Sequence, residues 1–489
     1  MISKEALDKY EMTIGIECHV QLKTKTKLFS GADNDARESE PNSKTSPIDF
    51  ALPGMLPVLN KEAVRLAVRL GLALNAKINL KSRFDRKHYF YPDLPKGYQI
   101  SQFYQPIIGA GFVDVDGVKV RVEHAHLEED AGKLTHVGEI SLVDLNRAGT
   151  PLLEIVSMPD MHSAASAKTY CTELQRLAIY SGASDANLYY GNMRFDVNIS
   201  VAQKGDKKLG TRAEIKNLNS FRSVEKAVEY EFIRQVELLE KGERVKQETR
   251  GWNEAKGKTL AQRSKEEAQD YRYMPEPDVP PVVLDQKFIE KIKAEMPLLP
   301  NGHRAIWAEL KLSKSVVNAI LDNRVLAEKL TSILQKLASD KNGMELAKNI
   351  TNWFCNVLLS EENATKDFRQ LDVTALIELA KMVAKKQLSS TSAKEILLKL
   401  LDGKKRPKEL AEKLNLLQVS NSGELETIVD KVLESPESAK AIADIKSGQI
   451  KAIGFLVGLA MKESKGKANP SVVSEIIKKK IRILGEKDG

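Results

Sequence analysis

Glu17, His19 and Gln21 alternate with Ile14, Ile16, Cys18, Val20 and Leu22 in the run Ile14-Gly15-Ile16-Glu17-Cys18-His19-Val20-Gln21-Leu22. Side chains of a β-strand point to opposite faces in turn, so this spacing predicts an apolar face and a chemical face on one strand. The same split recurs in Met193–Ser200, with Arg194, Asp196, Asn198 and Ser200 together, and around Thr211–Asn217, with Arg212, Glu214 and Lys216 together. Acids, an imidazole and bases on one sheet face are the components of a metal–phosphate site. Mg²⁺ takes oxygen ligands, and the bases hold phosphate oxygens. Glu17 and His19 lead the candidate metal ligands. An imidazole among the donors also admits a softer ion such as Mn²⁺.

A further acidic run, Glu128-Glu129-Asp130, follows His124 and His126. Adjacent strand residues face opposite sides, so at most one of Glu128 and Glu129 reaches a given metal directly, and spacing does not choose between them. The two histidines are expected to support the site rather than bind the metal. Asp196 and Asn198 are expected to bind metal or position water; the competing expectation is a strand edge hydrogen-bonded to a loop.

Elements that must hold these residues are legible nearby. Val113–Val122 predicts a hairpin, because Asp116-Gly117 supplies the positive φ angles of a two-residue turn. Helices are predicted over Asn60–Asn75, over Ser163–Tyr180 ending at Gly182, and over Ser223–Lys241 ending at Gly242. Strands and hairpins interrupted by separate helices predict an α+β domain with a largely antiparallel sheet, not a doubly wound one. The prolines of Pro275-Glu-Pro277-Asp-Val-Pro280-Pro281 predict an ordered extended segment near its end.

From about residue 293 the alternation gives way to Leu, Ala, Lys and Glu at helical spacing. Helices are expected over Ser315–Leu321, Leu326–Leu337, Gly343–Leu358, Val373–Ala384 and Ser392–Leu401. Gly403-Lys404-Lys405-Arg406-Pro407 reads as a linker to a smaller helical module. The expected organisation is therefore 1–292, 293–405 and 406–489, since 489 residues exceed what one core sustains.

No apolar run is long enough to span a bilayer, and the first residues lack a signal-peptide core, so a cytoplasmic place without membrane attachment is expected. Cys18, Cys171 and Cys355 are scattered, which argues against a disulfide framework and against a cysteine-based zinc site. A net charge of +8 suits a polyanionic partner but is shared by many globular proteins.

Six stretches taken together are specific. They are Ile14–Leu22; Phe84–Gln102, which contains Asp85-Arg86-Lys87-His88-Tyr89-Phe90-Tyr91-Pro92; His126–Lys133; Asp144–Glu154; Glu214–Ser220; and Asp270–Asp278. In this order they closely resemble the B subunit family of the aspartyl/glutamyl-tRNA amidotransferases. The resemblance extends through the helical part to Ile453–Gly458 and Gly466–Pro470, and so spans nearly the whole chain.

The resemblance implies a cradle domain with a core similar to that of glutamine synthetase, then a helical domain, then a tRNA-binding tail. It implies partnership with a glutaminase A subunit and a small C subunit in a heterotrimer, with a mischarged aminoacyl-tRNA as substrate. It also implies ATP and Mg²⁺. A carboxylate is a poor electrophile, so ATP activates it as an acyl phosphate and ammonia displaces phosphate, a reaction served by positioning and charge neutralisation. No Walker-type phosphate loop is present, and the family uses none.

Carried onto this chain, the resemblance marks Glu17, His19, Glu128, Glu129 and Asp196 as catalytic and metal-binding. Arg212, Lys216 and Asn198 fall at the nucleotide, with Glu214 there and near the metal, although salt bridging within the Arg212, Glu214 and Lys216 set competes with that role. Lys87 and Tyr89 line an ammonia path, and Tyr98 and Gln99 belong to that region or to the core. In the tail, Lys465, Lys467, Lys478, Lys479, Lys480 and Arg482 face tRNA phosphates. Phe455 and the Gly454-x-x-x-Gly458 spacing are expected to serve close helix packing.

Many family members carry four zinc-binding cysteines after the first strand. This chain has none between Leu28 and Asp49, so no zinc is expected, and the loop Ala32–Thr45 must hold its shape by other contacts. Two competing functions remain at this level: a non-catalytic tRNA-binding scaffold, and a stand-alone glutamine-synthetase-like ligase.

Overall fold

A computed structural model describes residues 3–264, 270–363, 366–403, 406–418, 422–447, 449–464 and 468–487. The chain divides into two compact units, Met1–Pro300 and Asn301–Gly489.

The first unit is built on an eight-stranded sheet. Its strands are β1 (Tyr10–Gln21), β2 (Gly111–Val115), β3 (Val118–Glu129), β4 (Pro151–Ser157), β5 (Met193–Gln203), β6 (Ala213–Leu218), β7 (Glu248–Asn253) and β8 (Lys258–Ser264). Their order across the sheet is β8-β7-β6-β5-β1-β4-β3-β2, and every pair is antiparallel except β6 with β7. The expected α+β class and antiparallel character are present. The Asp116-Gly117 turn between β2 and β3 has φ of 55° and 86°, as a tight hairpin demands.

The apolar halves of the alternating strands build the core. Ile14, Ile16, Cys18 and Val20 of β1 and Leu22 just after it are buried, with Leu153 and Ile155 of β4 and Phe195, Val197 and Ile199 of β5. Each such buried aliphatic side chain stabilises the fold by about 1.5–3 kcal/mol. Three helices pack against this side: α1 (Lys61–Ala73), α2 (Ala164–Tyr180) and α3 (Phe221–Glu240). Their starts are set by caps. The Asn60 amide oxygen accepts from the Glu62 and Ala63 N–H groups, Ser163 forms a capping box with Ser166, and Ser220 accepts from the Ser223 N–H. Gly182 and Gly242 follow the ends of α2 and α3 in the left-handed region, at φ of 73° and 75°.

One layer is not visible in the spacing. The strands Asp85–His88 and Tyr98–Ser101 form a hairpin, to which Met274–Pro275 adds a third strand. Val282–Val283 pairs with Lys81–Ser82 in the same way. The proline-rich segment is thus ordered, and its two ends are stitched to residues about two hundred positions earlier, but a turn at Pro277-Asp278 interrupts the expected extended course.

The second unit is helical among the described residues. Lys314–Leu321, Arg324–Leu337, Gly343–Trp353, Val373–Ala384 and Ser390–Leu400 answer to the expected helices, with a wide turn at Phe354–Leu358 continuing the third. Pro407–Lys413 packs on Val373–Ala384 and Ser390–Leu400, although the sequence pattern assigns it to the tail. The helices Ser422–Glu434, Ala439–Lys446, Ile453–Glu463 and Pro470–Lys487 enclose a separate core around Leu425, Val429, Leu456, Val473 and Ile477. No helix among the described residues is long and apolar enough to cross a membrane.

Candidate functional site

The sheet register assembles one polar face from five strands. Glu17 lies opposite Asp196, His19 opposite both Arg194 and Glu154, His126 opposite Glu154, and Asn198 opposite Glu214. Directly opposed residues share a face, so all of these side chains rise from the side of the sheet away from the helices. They fall into two groups. His19, Glu128 and Glu154 form the first, and Glu17, Asp196 and Glu214 the second. Within each group the three ligand atoms lie within 4.8 Å of one another. That spacing is what one divalent cation needs.

The expected single set of Glu17, His19, Glu128, Glu129 and Asp196 is therefore corrected in three ways. Glu17 and His19 belong to different groups. Glu154, which was not among the expected ligands, completes the first group, and Glu214, expected near the metal, completes the second. Glu129 belongs to neither: its carboxylate pairs with the Lys96 ammonium and accepts from the Ile100 N–H at 2.9 Å, and its carbonyl accepts from Gln99 Nε2 at 2.7 Å. Glu128 and Glu129 do face opposite sides, and Glu129 clamps the strand Tyr98–Ser101 against β3. Sequence reasoning misses Glu154 because the alternation Leu152, Leu153, Glu154, Ile155, Val156 exposes a single acid. Its signal is its place in the Asp144–Glu154 motif.

The first group holds an internal ion network. His19 Nε2 is 3.5 Å from both Glu128 Oε1 and Glu154 Oε2, and His126 Nε2 is 3.4 Å from Glu154 Oε2. Burial alone lowers the His19 pKa, but the hydrogen bond and charge of Glu154, aided by Glu128, raise it to about 9. Burial raises the Glu154 carboxyl, and the charges of His126 and His19 overcome this and hold it below the usual range. His126 thus lies beside the group, against Glu154.

In the second group Asn198 Nδ2 donates to Glu17 Oε1 at 2.8 Å. Lys216 Nζ donates to Asp196 Oδ2 at 2.7 Å and lies 2.9 Å from Glu214 Oε1. Thr249 Oγ1 donates to Glu214 Oε2 at 2.8 Å. Burial and the nearby Glu154, Glu214 and Asp196 carboxylates raise the Glu17 pKa, against the lowering effect of Asn198. Burial alone would lower the Lys216 pKa, but Asp196 and Glu214 outweigh it and raise it. A cluster of acids held together this way by one lysine is short of positive charge. Arg212 stands apart: β6 begins at Ala213, and Arg212 lies exposed before it, outside the expected alternation with Glu214 and Lys216.

Arg194 carries a role that the strand pattern does not assign to it. Its guanidinium donates to Asp130 Oδ2 at 2.9 Å, and Arg147 Nε reaches the same oxygen at 3.2 Å. The Asp130 charge raises the Arg194 pKa, with smaller effects from Glu128 of one group and Asp196 of the other. Arg194 is thus a tethered cation standing between the two groups.

The hairpin Asp85–His88/Tyr98–Ser101 brings aromatic groups beside the first group. The Lys87 ammonium lies 5.0 Å from the Tyr271 ring centre and 5.8 Å from that of Tyr89. Tyr89 Oη donates to Gln99 Oε1 at 3.4 Å, and Tyr273 stacks on Phe103 at 4.1 Å. Burial, then the Glu128 charge, raises the pKa of both Tyr89 and Tyr273, so both phenols stay protonated. Lys87 and Tyr89 are brought together here, with Gln99.

In the tail, Lys478 and Lys479 are exposed, whereas Lys480 Nζ is engaged by Asp430 Oδ1 at 2.5 Å and by the Glu426 carbonyl. Lys465, Lys467 and the Arg482 side chain lie outside the described residues. The expected close packing at Gly454 and Gly458 is not found among the described residues. A Cβ at either position would meet nothing within 4 Å, and Phe455 is 53% exposed.

The loop after β1 is organised around Asp49. Its carboxylate accepts from the Ser46 N–H at 2.8 Å, from Ser46 Oγ at 3.0 Å, from Ser30 Oγ at 3.2 Å and from Lys27 Nζ at 3.3 Å. Asn34 Nδ2 adds bonds to the Leu22 and Thr24 carbonyls, and Lys44 pairs with Asp33 at 2.7 Å.

Comparison with known proteins agrees with this architecture. A family model described as the GatB/GatE catalytic domain matches residues 12–290, and one described as the GatB domain matches residues 332–481. The chain is 41% identical to the B subunit of the aspartyl/glutamyl-tRNA(Asn/Gln) amidotransferase of Carboxydothermus hydrogenoformans, covering 97% of this chain and 100% of the relative. It is 42% identical to the protein of the same name from Thermotoga petrophila, over 96% and 99%. It is 44% identical to the B subunit of the chloroplastic/mitochondrial glutamyl-tRNA(Gln) amidotransferase of Physcomitrium patens, over 97% and 86%. With two acid groups on one sheet face and likeness along almost its whole length, the chain belongs to the family of aspartyl/glutamyl-tRNA(Asn/Gln) amidotransferase B subunits.

Proposed function

We propose that this subunit of a tRNA-dependent amidotransferase carries both the activation and the amidation step. ATP gives its γ-phosphoryl group to the side-chain carboxylate of Glu-tRNA(Gln) or Asp-tRNA(Asn), releasing ADP. Ammonia then attacks the acyl carbon, the C–O bond to phosphate breaks, and a proton leaves the nitrogen, giving Gln-tRNA(Gln) or Asn-tRNA(Asn). The enzyme is on this reading a C–N ligase with glutamine as nitrogen donor. A glutaminase A subunit releases the ammonia, and a small C subunit completes a heterotrimer working in the cytoplasm.

The observation that supports this reading is the pair of three-ligand groups flanking Arg194. The all-carboxylate group Glu17, Asp196 and Glu214 suits Mg²⁺, and His19, Glu128 and Glu154 suit Mg²⁺ or Mn²⁺. Such ions, when bound, neutralise phosphate oxygens during transfer. The remaining work falls to the chain. Asn198 fixes the Glu17 carboxylate, and Asp130 holds Arg194 by one nitrogen, leaving the guanidinium further N–H donors to offer phosphoryl oxygens. Lys216, now shared by Asp196 and Glu214, becomes available to phosphate once those acids find another counter-charge. Lys87, Tyr89 and Gln99 offer polar contacts for uncharged ammonia beside the first group. The largely antiparallel sheet with its open acidic face is in keeping with a glutamine-synthetase-like core.

The test uses the chain assembled with its partner subunits. Glu17→Ala or Asp196→Ala is expected to abolish ADP formation that depends on Glu-tRNA while tRNA still binds. Turnover that survives both substitutions refutes the assignment and leaves a tRNA-binding scaffold. Truncation after Gly403 is expected to weaken tRNA binding and flatten its salt dependence, which a ligase for a small amino acid would not feel.

A further inference from the structure

A polar cavity of about 940 Å³ opens at the end of β1, and nothing in the reaction as described occupies it. Gln21 is the last residue of the reactive face on that strand, two positions beyond His19. Asn192 Nδ2 donates to Gln21 Oε1 at 2.8 Å, and the Gln21 N–H donates to the Asn192 carbonyl at 2.8 Å. Both residues line the cavity, so it begins where the acid groups end.

Two features of the lining point to a ligand class. Tyr189 and Tyr190 stand in the lining 89% and 50% exposed, their rings 5.1 Å apart and near perpendicular, and the Arg37 guanidinium covers the Tyr190 ring at 5.6 Å. Adjacent exposed aromatic rings are unfavourable in water and are the groups on which unstacked nucleobases lie. The acids of the lining are already engaged: Asp33 by Lys44, Asp35 by Arg37, Asp185 by Lys23, and Asp144 by the N–H groups of Asn42 and Asn146. Lys25 and Lys133 line the cavity exposed and make no ion pair among the described residues. The surplus is positive, next to aromatic surface.

We propose that this cavity receives the single-stranded 3′ end of the aminoacyl-RNA, with the terminal base on Tyr189 and Tyr190 and backbone phosphates at Lys25 and Lys133. This deepens the amidotransferase reading and rests on it. The lengths agree. One pleat from Gln21 to His19 spans about 6.6 Å. The five bonds from a terminal ribose oxygen to a glutamyl side-chain carboxyl, at about 1.5 Å each, project to about the same distance. A ribose at the cavity floor therefore sets the carboxyl among the two groups.

The experiment measures binding of the full chain to a transfer RNA with and without its terminal nucleotide. The wild type is expected to lose about tenfold in affinity on the deletion, and Y189A/Y190A to bind both RNAs alike. Y189F/Y190F is expected to keep the discrimination, because the ring face and not the hydroxyl carries it. K25Q/K133Q is expected to reduce the slope of log K against log salt by about one. Both tyrosines are exposed, so these variants fold. Discrimination that persists in Y189A/Y190A overturns the proposal while leaving the amidotransferase reading intact. So does a rise in KM for ATP with RNA discrimination unchanged, which would give the cavity to the base of ATP. A wild type that binds neither RNA refutes both.

Discussion

Asp49→Asn tests whether one buried carboxylate organises the loop that follows β1. The substitution keeps the shape and removes the charge. Lys27 is 0% exposed, and its ammonium has Asp49 Oδ2 at 3.3 Å and the Leu145 carbonyl at 3.4 Å. Removing one partner of a buried pair typically costs about 3–5 kcal/mol, because the other charge is left without compensation. The chain has one escape, which is to neutralise Lys27. Against an ordinary lysine pKa near 10.4, holding the amine neutral at pH 7 costs about 4–5 kcal/mol, so the two routes agree. They differ in pH dependence. Burial already lowers the Lys27 pKa, with Asp49 opposing it. Without Asp49 the folded state binds fewer protons here than the unfolded state, so stability rises with pH. The expected slope is about 1.4 kcal/mol per pH unit, from the lowered folded value up to the ordinary one. Urea unfolding of Asp49→Asn at pH 7 and pH 9 should therefore show a large deficit that shrinks by about 2–3 kcal/mol at the higher pH. Lys27→Met with Asp49→Asn should recover most of the loss. A deficit below about 1 kcal/mol at pH 7, or one indifferent to pH, refutes the reasoning.

Mn²⁺ titration followed by electron paramagnetic resonance should count two sites per chain, with Glu154→Gln removing one and Glu214→Gln the other; loss of both sites from either change would mean a single centre. Glu129→Gln should keep both sites and instead destabilise the protein by about 1–3 kcal/mol, since it breaks the Lys96 pair and weakens the bond from the Ile100 N–H. Arg194→Lys should lower kcat by about 10²–10³ with KM for tRNA little changed, because an ammonium cannot hold Asp130 and also offer a planar fork to phosphate. A kcat within about threefold of wild type would place Arg194 outside the reaction.

The chemical face of β1 and β5 was legible because period-2 alternation is a local property, and Glu17, His19, Asp196 and Asn198 all rise on it. The hairpin at Asp116-Gly117 and helices α1, α2 and α3 were equally legible, since turn conformation and capping are set by residues within a few positions. Arg212 falls outside that face because alternation holds only where β6 is hydrogen-bonded to β5, from Ala213 onward. Gly454 and Gly458 have helical spacing, but spacing alone does not say whether a neighbour arrives, and none does among the described residues.

Partner choice between strands lay beyond the sequence. Nothing local says that β1 sits between β4 and β5, and that placement puts Glu154 beside His19 and Asp196 beside Glu17. The pairing of His19 with Glu154 and of Glu17 with Asp196 follows from register across strands more than a hundred residues apart, and the exclusion of Glu129 and the tether of Arg194 from contacts 29 to 64 residues apart. Sequence fixes which side of its own strand each residue occupies, because alternation is covalent geometry. Only the packed sheet decides which residues become neighbours, because that depends on non-local hydrogen bonding and the burial it permits.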